Sequence, residues 1–118
     1  MKQLDFLKTV MKNDQRYGSD MIITICGPIR LWSRIETCYS YVRQLPGVNY
    51  VFTPVKFYNE ASRENDKLKE QLMQLHRDKI DMADYVIVVG KEEEWGNDTF
   101  KEIDYAKSMN KDIVYWDM

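Results

Sequence analysis

The chain has 118 residues, of which 44% are hydrophobic and 31% are charged, and its formal net charge is −2. This length suits one hydrophobic core and is too short for two ordinary domains. The slight negative charge provides no global field to hold a polyanion, so we expect no nucleic-acid polymer as the main partner. No apolar run approaches the ~20 residues of a spanning helix, and Met1 to Asp20 is charged throughout. We therefore expect a cytoplasmic protein without a membrane partner.

The first segment, KQLDFLKTVMKND, has apolar residues at helical spacing and precedes the polar, glycine-containing QRYGSD. It predicts an appended N-terminal helix and turn over residues 1–20, followed by one α/β domain over residues 21–118. The β-branched run MIITIC ends at Gly27-Pro28 and predicts a buried strand. Helical spacing from Leu31 to Leu45 predicts a helix, which Pro46-Gly47 ends.

The second half of the chain continues the alternation of strands and helices. NYVFTPV predicts a second strand, which Pro54 restricts to an edge or a strand end. The polar stretch from Tyr58 to Asp66 predicts a loop, and the next helix carries its apolar residues at helical spacing: Leu68, Leu72, Leu75 and Ile80. YVIVVG is the most strand-like segment, and it precedes the charged loop KEEEWGND.

TFKEIDYAKSM predicts a last helix whose inward residues are Phe100, Ile103, Ala106 and Met109, and DIVYW predicts a final strand. Strands that alternate with helices imply right-handed crossovers, hence a parallel sheet with helices on both faces. We therefore predict a three-layer, flavodoxin-like or Rossmann-like α/β fold. Ligands of such sheets bind beyond the carboxyl ends of the strands. In this chain, residues 26–30 and 90–102 are predicted to lie at that edge of the sheet.

Two segments at this edge carry groups suited to chemistry. In CGPIR, Gly27 allows a close turn and Arg30 supplies a cation near a helix N-terminus, a combination that suits a phosphate or a carboxylate. The alternative is that Arg30 is a solvated residue of the first helical turn. In GNDTFKEIDYA, Asp98 or Thr99 can cap the helix, with Glu102 in or near its first turn.

Two interpretations of Glu102 stay open on the pattern alone. Thr99-x-x-Glu102 fits a capping box, in which the carboxylate accepts a backbone hydrogen bond and has no other role. The same carboxylate could attack an anomeric carbon, since a glycosidic bond cleaves through an oxocarbenium-like state that a nearby anion stabilises or traps.

Further candidates also have two interpretations. His76, the only histidine, shares the apolar face of its predicted helix, which is typical of a core histidine as well as of a site residue. Trp32 and Trp95 fall on the two loops of the predicted ligand edge, where a planar base could stack, or they serve as loop anchors or dimer contacts. The two cysteines, Cys26 and Cys38, have neither disulfide nor metal-knuckle spacing and predict buried free thiols.

Metal and cofactor binding are not expected from spacing. The acidic segment DKIDMAD lacks the glycine and the closing glutamate of a calcium loop. Asp78, Asp81 and Asp84 lie near the predicted helix C-terminus, where acids oppose the helix dipole.

Three blocks in order, ITICGPIR, LHRDKIDMADYVIVVG and GNDTFKEIDYAKSMNKDIVYW, resemble the nucleoside 2-deoxyribosyltransferase and nucleotide N-glycosidase superfamily, especially its short bacterial and phage members. The resemblance runs from about Met21 to Trp116. It implies a flavodoxin-like fold in which a glutamate on the helix after the third strand attacks C1′ of a nucleoside or nucleoside 5′-monophosphate, and Glu102 occupies that position. It also implies that the loop from Gly27 to Arg30 binds the sugar-phosphate end.

The chain departs from this family at two positions. Many members have a serine where Pro28 stands, and proline lacks both the hydroxyl and the backbone N–H that an anion could use. His76 stands where well-studied members place an aspartate, and it could protonate the departing base or orient Glu102. The predicted catalytic residues are Glu102 and His76, and the predicted substrate-binding residues are Gly27, Pro28, Arg30, Gly90, Asn97, Asp98 and Thr99.

The function predicted from the sequence is thus cleavage or transfer at the N-glycosidic bond of a small-molecule nucleoside or nucleotide, without a cofactor. One alternative is a non-catalytic nucleotide-binding module, acting as a sensor or inhibitor, on the same fold. Another is a pure interaction protein with an empty pocket. Related proteins assemble, and a small domain gains buried area that way, so we expect a homo-oligomer.

Overall fold

The computed structural model describes residues 21–55 and 66–117. The predicted N-terminal helix and most of the predicted polar loop lie outside these residues. The strands are β1 (Met21–Cys26), β2 (Val48–Phe52), β3 (Tyr85–Val89) and β4 (Asp112–Trp116). The helices are α1 (Trp32–Val42), α2 (Asp66–Met82) and α3 (Asn97–Ser108), with short 3-10 turns at Ile29–Leu31 and Glu92–Glu94. The alternation predicted from the sequence is confirmed over this part of the chain.

The four described strands form one parallel sheet in the order β2-β1-β3-β4. The chain moves from β1 outward to β2 and then returns to place β3 on the other side of β1, so the strand order reverses between β1 and β3. There Cys26 pairs with Val88, and both strands end within two residues of that pair. Such a switch point leaves a crevice beyond the strand ends.

Two apolar cores cover the two faces of the sheet. On one face, α1 contributes Ile35, Cys38 and Val42, all fully buried against alternate residues of β1 and β3. On the other face, Ile80 of α2 and Ile103 of α3 pack on the opposite set of strand residues. Strand β3 is buried along its whole length because helices cover both of its faces. The predicted three-layer fold is confirmed.

Some predictions about which apolar helix residues point into the core are wrong. Phe100 and Met109, predicted to point inward, are 38% and 46% exposed, and Leu75 on α2 is 44% exposed. Ile103 and Ala106 are buried as predicted. The apolar stripe of a helix that packs on a sheet is narrow, so flanking apolar side chains remain partly in solvent.

No helix within residues 21–55 and 66–117 is both long and apolar enough to cross a membrane. The longest of these helices, α2, has 17 residues and carries charged side chains throughout its length.

Candidate functional site

A cavity of about 680 Å³ opens at the carboxyl end of the sheet, beside the loop that follows β1. Residues of α2, of the start of α3 and of the segment after β2 complete its walls. The described residues that line it are Gly27, Pro28, Ile29, Pro54, Val55, Lys69, Leu72, Met73, His76, Gly96, Asn97, Asp98, Thr99, Lys101 and Glu102. The fold therefore brings seven of the nine predicted site residues to one cavity, and Arg30 and Gly90 are the two that are not among its lining residues.

Glu102 reaches this cavity from the second turn of α3, whereas the sequence predicted a position in or near the first turn. The helix begins at Asn97 with Gly96 as its N-cap, and Phe100 donates its backbone N–H to the Gly96 carbonyl at 3.2 Å. Thr99 lies inside the helix and is 3% exposed. The predicted capping box of Thr99 and Glu102 is therefore wrong, and Glu102, with 24% of its side chain exposed, is available to the cavity.

His76 and Cys26 lie directly behind the Glu102 carboxylate. The Nε2 atom of His76 is 3.4 Å from Oε2 of Glu102 and 3.2 Å from Sγ of Cys26. His76 is 7% exposed and Cys26 is fully buried. Among the described residues, Oε2 of Glu102 is a buried oxygen without a hydrogen-bond partner. Because Glu102 lines the cavity and Oε2 is buried, Oε1 is the carboxylate oxygen left for a ligand in the cavity to reach.

Burial strongly affects the Cys26 thiol. Removal from water raises the pKa of Cys26 well above its ordinary value, and the negative charge and hydrogen bonding of Glu102 raise it further. Cys38 provides a comparison on the opposite face of the sheet, where burial alone raises its pKa to about 12. The prediction of two buried free thiols is confirmed, but only Cys26 contacts residues of the cavity.

The predicted anion-binding cation, Arg30, is engaged elsewhere. Its Nη2 donates a hydrogen bond to the backbone carbonyl of Glu94. Arg34 donates from Nη1 to both carboxylate oxygens of Glu94 at 2.9 Å. The loop after β1 is thereby held against the 3-10 turn after β3, which fixes one wall of the site without directing Arg30 into it.

Gly90 has a packing role where it was predicted to bind substrate. Its φ is +97°, and a Cβ atom placed on it would lie 2.8 Å from Cδ1 of Leu31. Its backbone N–H donates to the carbonyl of Trp116 at 2.8 Å. Glycine is therefore required here for close packing of β3 against the loop that precedes α1.

Trp32 and Trp95, for which the sequence left base stacking, loop anchoring and dimer contact open, are part of the packing. Trp95 donates its indole N–H to the carbonyl of Val89 at 3.1 Å and stacks on Tyr115, with ring centroids 5.7 Å apart. Trp32 packs against the core on the α1 face of the sheet. Neither is among the described residues lining the cavity, whose apolar wall comes from Leu72 and Met73 of α2 with Ile29, Pro54 and Val55.

Two lysines of the cavity, Lys69 and Lys101, were not predicted. Both are exposed, and each extends the positive side of a wall that also carries the N-terminus of α3. A sequence signal for Lys69 existed, because Lys69, Leu72, Met73 and His76 recur at the three- and four-residue spacing of one helix face. That face of α2 is the face that meets the cavity.

The aspartates near the C-terminus of α2 have structural partners. Oδ2 of Asp84 accepts the backbone N–H of Ile22 at 2.8 Å, and Oδ1 of Asp81 accepts the Tyr105 hydroxyl at 2.7 Å. Both bonds join separate elements of the fold. None of the three aspartates from position 78 to 84 lines the cavity as far as the described residues show.

Comparison with known proteins gives a likeness of fold. No protein-family model matches the sequence, and no curated protein matches it at a significant level. Among solved structures, the chain is similar to a 2-desoxiribosyltransferase from Leishmania mexicana, with a TM-score of 0.52 and 20% sequence identity. The match covers 82% of this chain and 64% of that protein. At this identity the likeness supports the flavodoxin-like fold of deoxyribosyltransferases, and this chain spans somewhat less than two thirds of the neighbour's length.

Proposed function

We propose that this protein cleaves the N-glycosidic bond of a nucleoside or nucleoside 5′-monophosphate and passes the sugar to water or to a second base, with Glu102 as the nucleophile. The observation that carries the proposal is the position of Glu102, which lines the cavity at the switch point of the sheet and has one carboxylate oxygen buried beside His76. The similarity in fold to a deoxyribosyltransferase is consistent with this chemistry.

The reaction assigned to Glu102 is a double displacement. Its exposed oxygen, Oε1, attacks C1′ of the sugar, forming an ester bond while the bond from C1′ to the base nitrogen breaks. The electron pair of that bond goes to the base, which takes up a proton from water in the cavity. Water, or the ring nitrogen of a second base, then attacks C1′, gives up its proton to solvent, which replaces the proton taken by the first base, and releases the carboxylate. Hydrolysis results in the first case and base exchange in the second.

His76 is a positioning residue in this scheme. Its Nε2 lies beside the buried oxygen of Glu102, so the imidazole limits rotation of the carboxylate and leaves the other oxygen directed at the substrate. Cys26 contacts the same nitrogen through its Sγ at 3.2 Å. Of the two roles the sequence left open for His76, orientation of Glu102 fits this placement better than protonation of the base.

The two ends of the substrate have different surroundings in the cavity. The base can lie against the apolar wall formed by Leu72 and Met73. The sugar hydroxyls can reach Asn97 and Asp98 at the start of α3, as we predicted from the sequence. Lys101 and the uncapped N-terminus of α3 favour a negative 5′ group in spite of Pro28.

The test is base release from a panel of nucleosides and 5′-monophosphates, with and without a second free base, followed by chromatography. Glu102→Gln keeps the size of the side chain and removes the nucleophile, so turnover should fall by roughly a thousandfold or more. Asp104→Asn is the matched control, since it makes the same chemical change at an exposed position of the same helix. Its turnover should stay within about twofold of wild type, as expected for a surface change away from the site.

Two results would contradict the proposal. Turnover that survives in Glu102→Gln removes the glutamate from the chemistry. Saturable nucleotide binding to wild type without release or exchange of any base favours the non-catalytic binding module. Assembly into a homo-oligomer stays a prediction, which light scattering of the same preparations checks.

A further inference from the structure

Three metal-binding side chains converge at the back of the cavity from separate elements. Cys26 ends β1, His76 lies in the middle of α2, and Glu102 lies in the second turn of α3. Their donor atoms, Sγ, Nε2 and a carboxylate oxygen, all lie within 4.8 Å of one another. Two of the separations are shorter: 3.2 Å from sulfur to nitrogen and 3.4 Å from nitrogen to oxygen.

These separations match the edges of a tetrahedral zinc site. With Zn–S near ~2.3 Å and Zn–N and Zn–O near ~2.0–2.1 Å, a tetrahedron has edges of about 3.6 Å between sulfur and nitrogen and about 3.3 Å between nitrogen and oxygen. The two closest distances differ from these values by a few tenths of an ångström, and the sulfur-to-oxygen distance is at most 4.8 Å, so the three donors are near a tetrahedral arrangement before any ion binds. Three protein ligands with a fourth position left open are typical of accessible zinc sites.

The kinds of donor select the kind of cation. A thiolate and an imidazole favour Zn²⁺, Co²⁺ and related transition metals, whereas Mg²⁺ and Ca²⁺ prefer sites made of oxygen atoms alone. His76 and Glu102 line the cavity, so a cation can reach them from solvent, while Cys26 supplies the buried third ligand.

The same atoms are poorly satisfied without a cation. Within the described residues, the buried Oε2 of Glu102 accepts no hydrogen bond, although Nε2 of His76 lies 3.4 Å away, and a buried oxygen without a hydrogen bond is costly. The Cys26 thiol is fully buried next to the His76 imidazole and within 4.8 Å of a Glu102 carboxylate oxygen. A divalent cation would replace the thiol proton, which is released to solvent, and would give the buried carboxylate oxygen a partner.

We propose that Cys26, His76 and Glu102 form a binding site for a zinc-class transition-metal ion, and that the bound ion inhibits the enzyme. The inhibitory part rests on the proposed function, because the ion would occupy the carboxylate that attacks C1′ and the imidazole that orients it. Metal binding and glycosidic turnover are then mutually exclusive states of one site, and the availability of zinc sets the fraction of active protein.

Cobalt spectroscopy tests the site without any reference to turnover. The full-length protein is freed of metal with a chelator, reduced with a non-thiol reductant and titrated anaerobically with Co²⁺. We expect a thiolate-to-cobalt charge-transfer band in the near ultraviolet, visible bands of four-coordinate cobalt, and loss of both on addition of Zn²⁺. Cys26→Ala should lack the charge-transfer band. The matched control Cys38→Ala, a buried thiol on the other face of the sheet, should retain it.

Glu102→Gln provides a second variant at a partly exposed position, and it should keep the thiolate band while weakening cobalt binding at least tenfold. A wild-type protein without the band at a saturating excess of cobalt overturns the metal site, and so does a band that persists in Cys26→Ala. If Cys26→Ala does not fold, the wild-type spectrum and the affinity of Glu102→Gln still decide the outcome.

The inhibition is measured separately as base release with and without Zn²⁺, and activity should return on adding a chelator. Turnover that continues when the cobalt competition shows the site to be filled with zinc refutes the inhibitory role. A clear cobalt spectrum in a protein that never releases a base leaves the metal site standing and refutes the proposed glycosidic function instead.

Discussion

Replacing Gly90 by alanine tests how the carboxyl end of β3 is packed beneath the cavity. The new Cβ would lie 2.8 Å from Cδ1 of Leu31, whereas carbon atoms in favourable contact are ~3.5–4.0 Å apart. Leu31 is 9% exposed and has little room to withdraw. The left-handed backbone, with φ at +97°, costs a residue with a side chain about 1–2 kcal/mol. Overpacking adds about 1–3 kcal/mol.

We therefore expect Gly90→Ala to lower the free energy of unfolding by about 2–5 kcal/mol. With a urea m-value of ~2 kcal/mol/M, the unfolding midpoint should fall by roughly 1–2.5 M, followed by circular dichroism. Gly96→Ala is the matched control, because φ there is −93° and a Cβ would meet no atom of the described structure within 4 Å. Its midpoint should fall by less than ~1 M, since alanine at an N-cap is worse than glycine by about 1 kcal/mol.

Equal midpoints for Gly90→Ala and wild type would refute this account of the packing. A loss of stability in Gly96→Ala as large as that in Gly90→Ala would refute it as well, because only Gly90 combines a positive φ with a steric contact. The expected result also bears on the site. Gly90, predicted from the sequence to bind substrate, would be required for the fold.

The remaining predictions concern charged groups. Lys101→Ala should lower kcat/KM for a 5′-monophosphate about tenfold and kcat/KM for the matching nucleoside by less than about threefold. Lys107→Ala, in the last turn of α3, is the control. Equal losses on both substrates would place Lys101 away from the 5′ end. The backbone N–H of Lys91 and then Arg34 lower the pKa of Glu94. The stability that its carboxylate contributes is therefore present above the ordinary glutamate pKa and is lost as the pH falls through the lowered value. The difference in urea midpoint between wild type and Glu94→Gln should shrink between about pH 7 and about pH 3, and a difference independent of pH would contradict this.

The layer architecture could be predicted from the local sequence because each helix and each strand has its own hydrophobic periodicity. The β-branched runs of β1 and β3 and the helical spacing of α1 and α2 predicted a parallel three-layer fold. Pro54 indicated an edge or a strand end, and among the described strands β2 lies at an edge of the sheet and ends at Phe52. Since parallel strands present their carboxyl ends at one edge, the order of elements also predicted that the loop after β1 and the start of α3 would meet.

The start of α3 shows where local propensity fails. Asp98 and Thr99 are good capping residues, yet the helix extends back to Gly96 and Thr99 is buried within it. Packing of this helix on the sheet outweighed a capping preference of about 1 kcal/mol. The shift of two to three residues moved Glu102 out of the first turn, which removed the capping-box interpretation.

By itself, the sequence determined the order of the layers, the parallel sheet and the two segments that border its ligand edge, because periodicity and turn residues act over neighbouring positions. Only the tertiary structure decided which side chains meet there. It directed Arg30 to Glu94, placed Lys101 at the cavity, and brought Cys26 and His76 to Glu102. These three belong to different elements far apart along the chain. Their contact is set by how two helices lie across the strand ends, which no local spacing records.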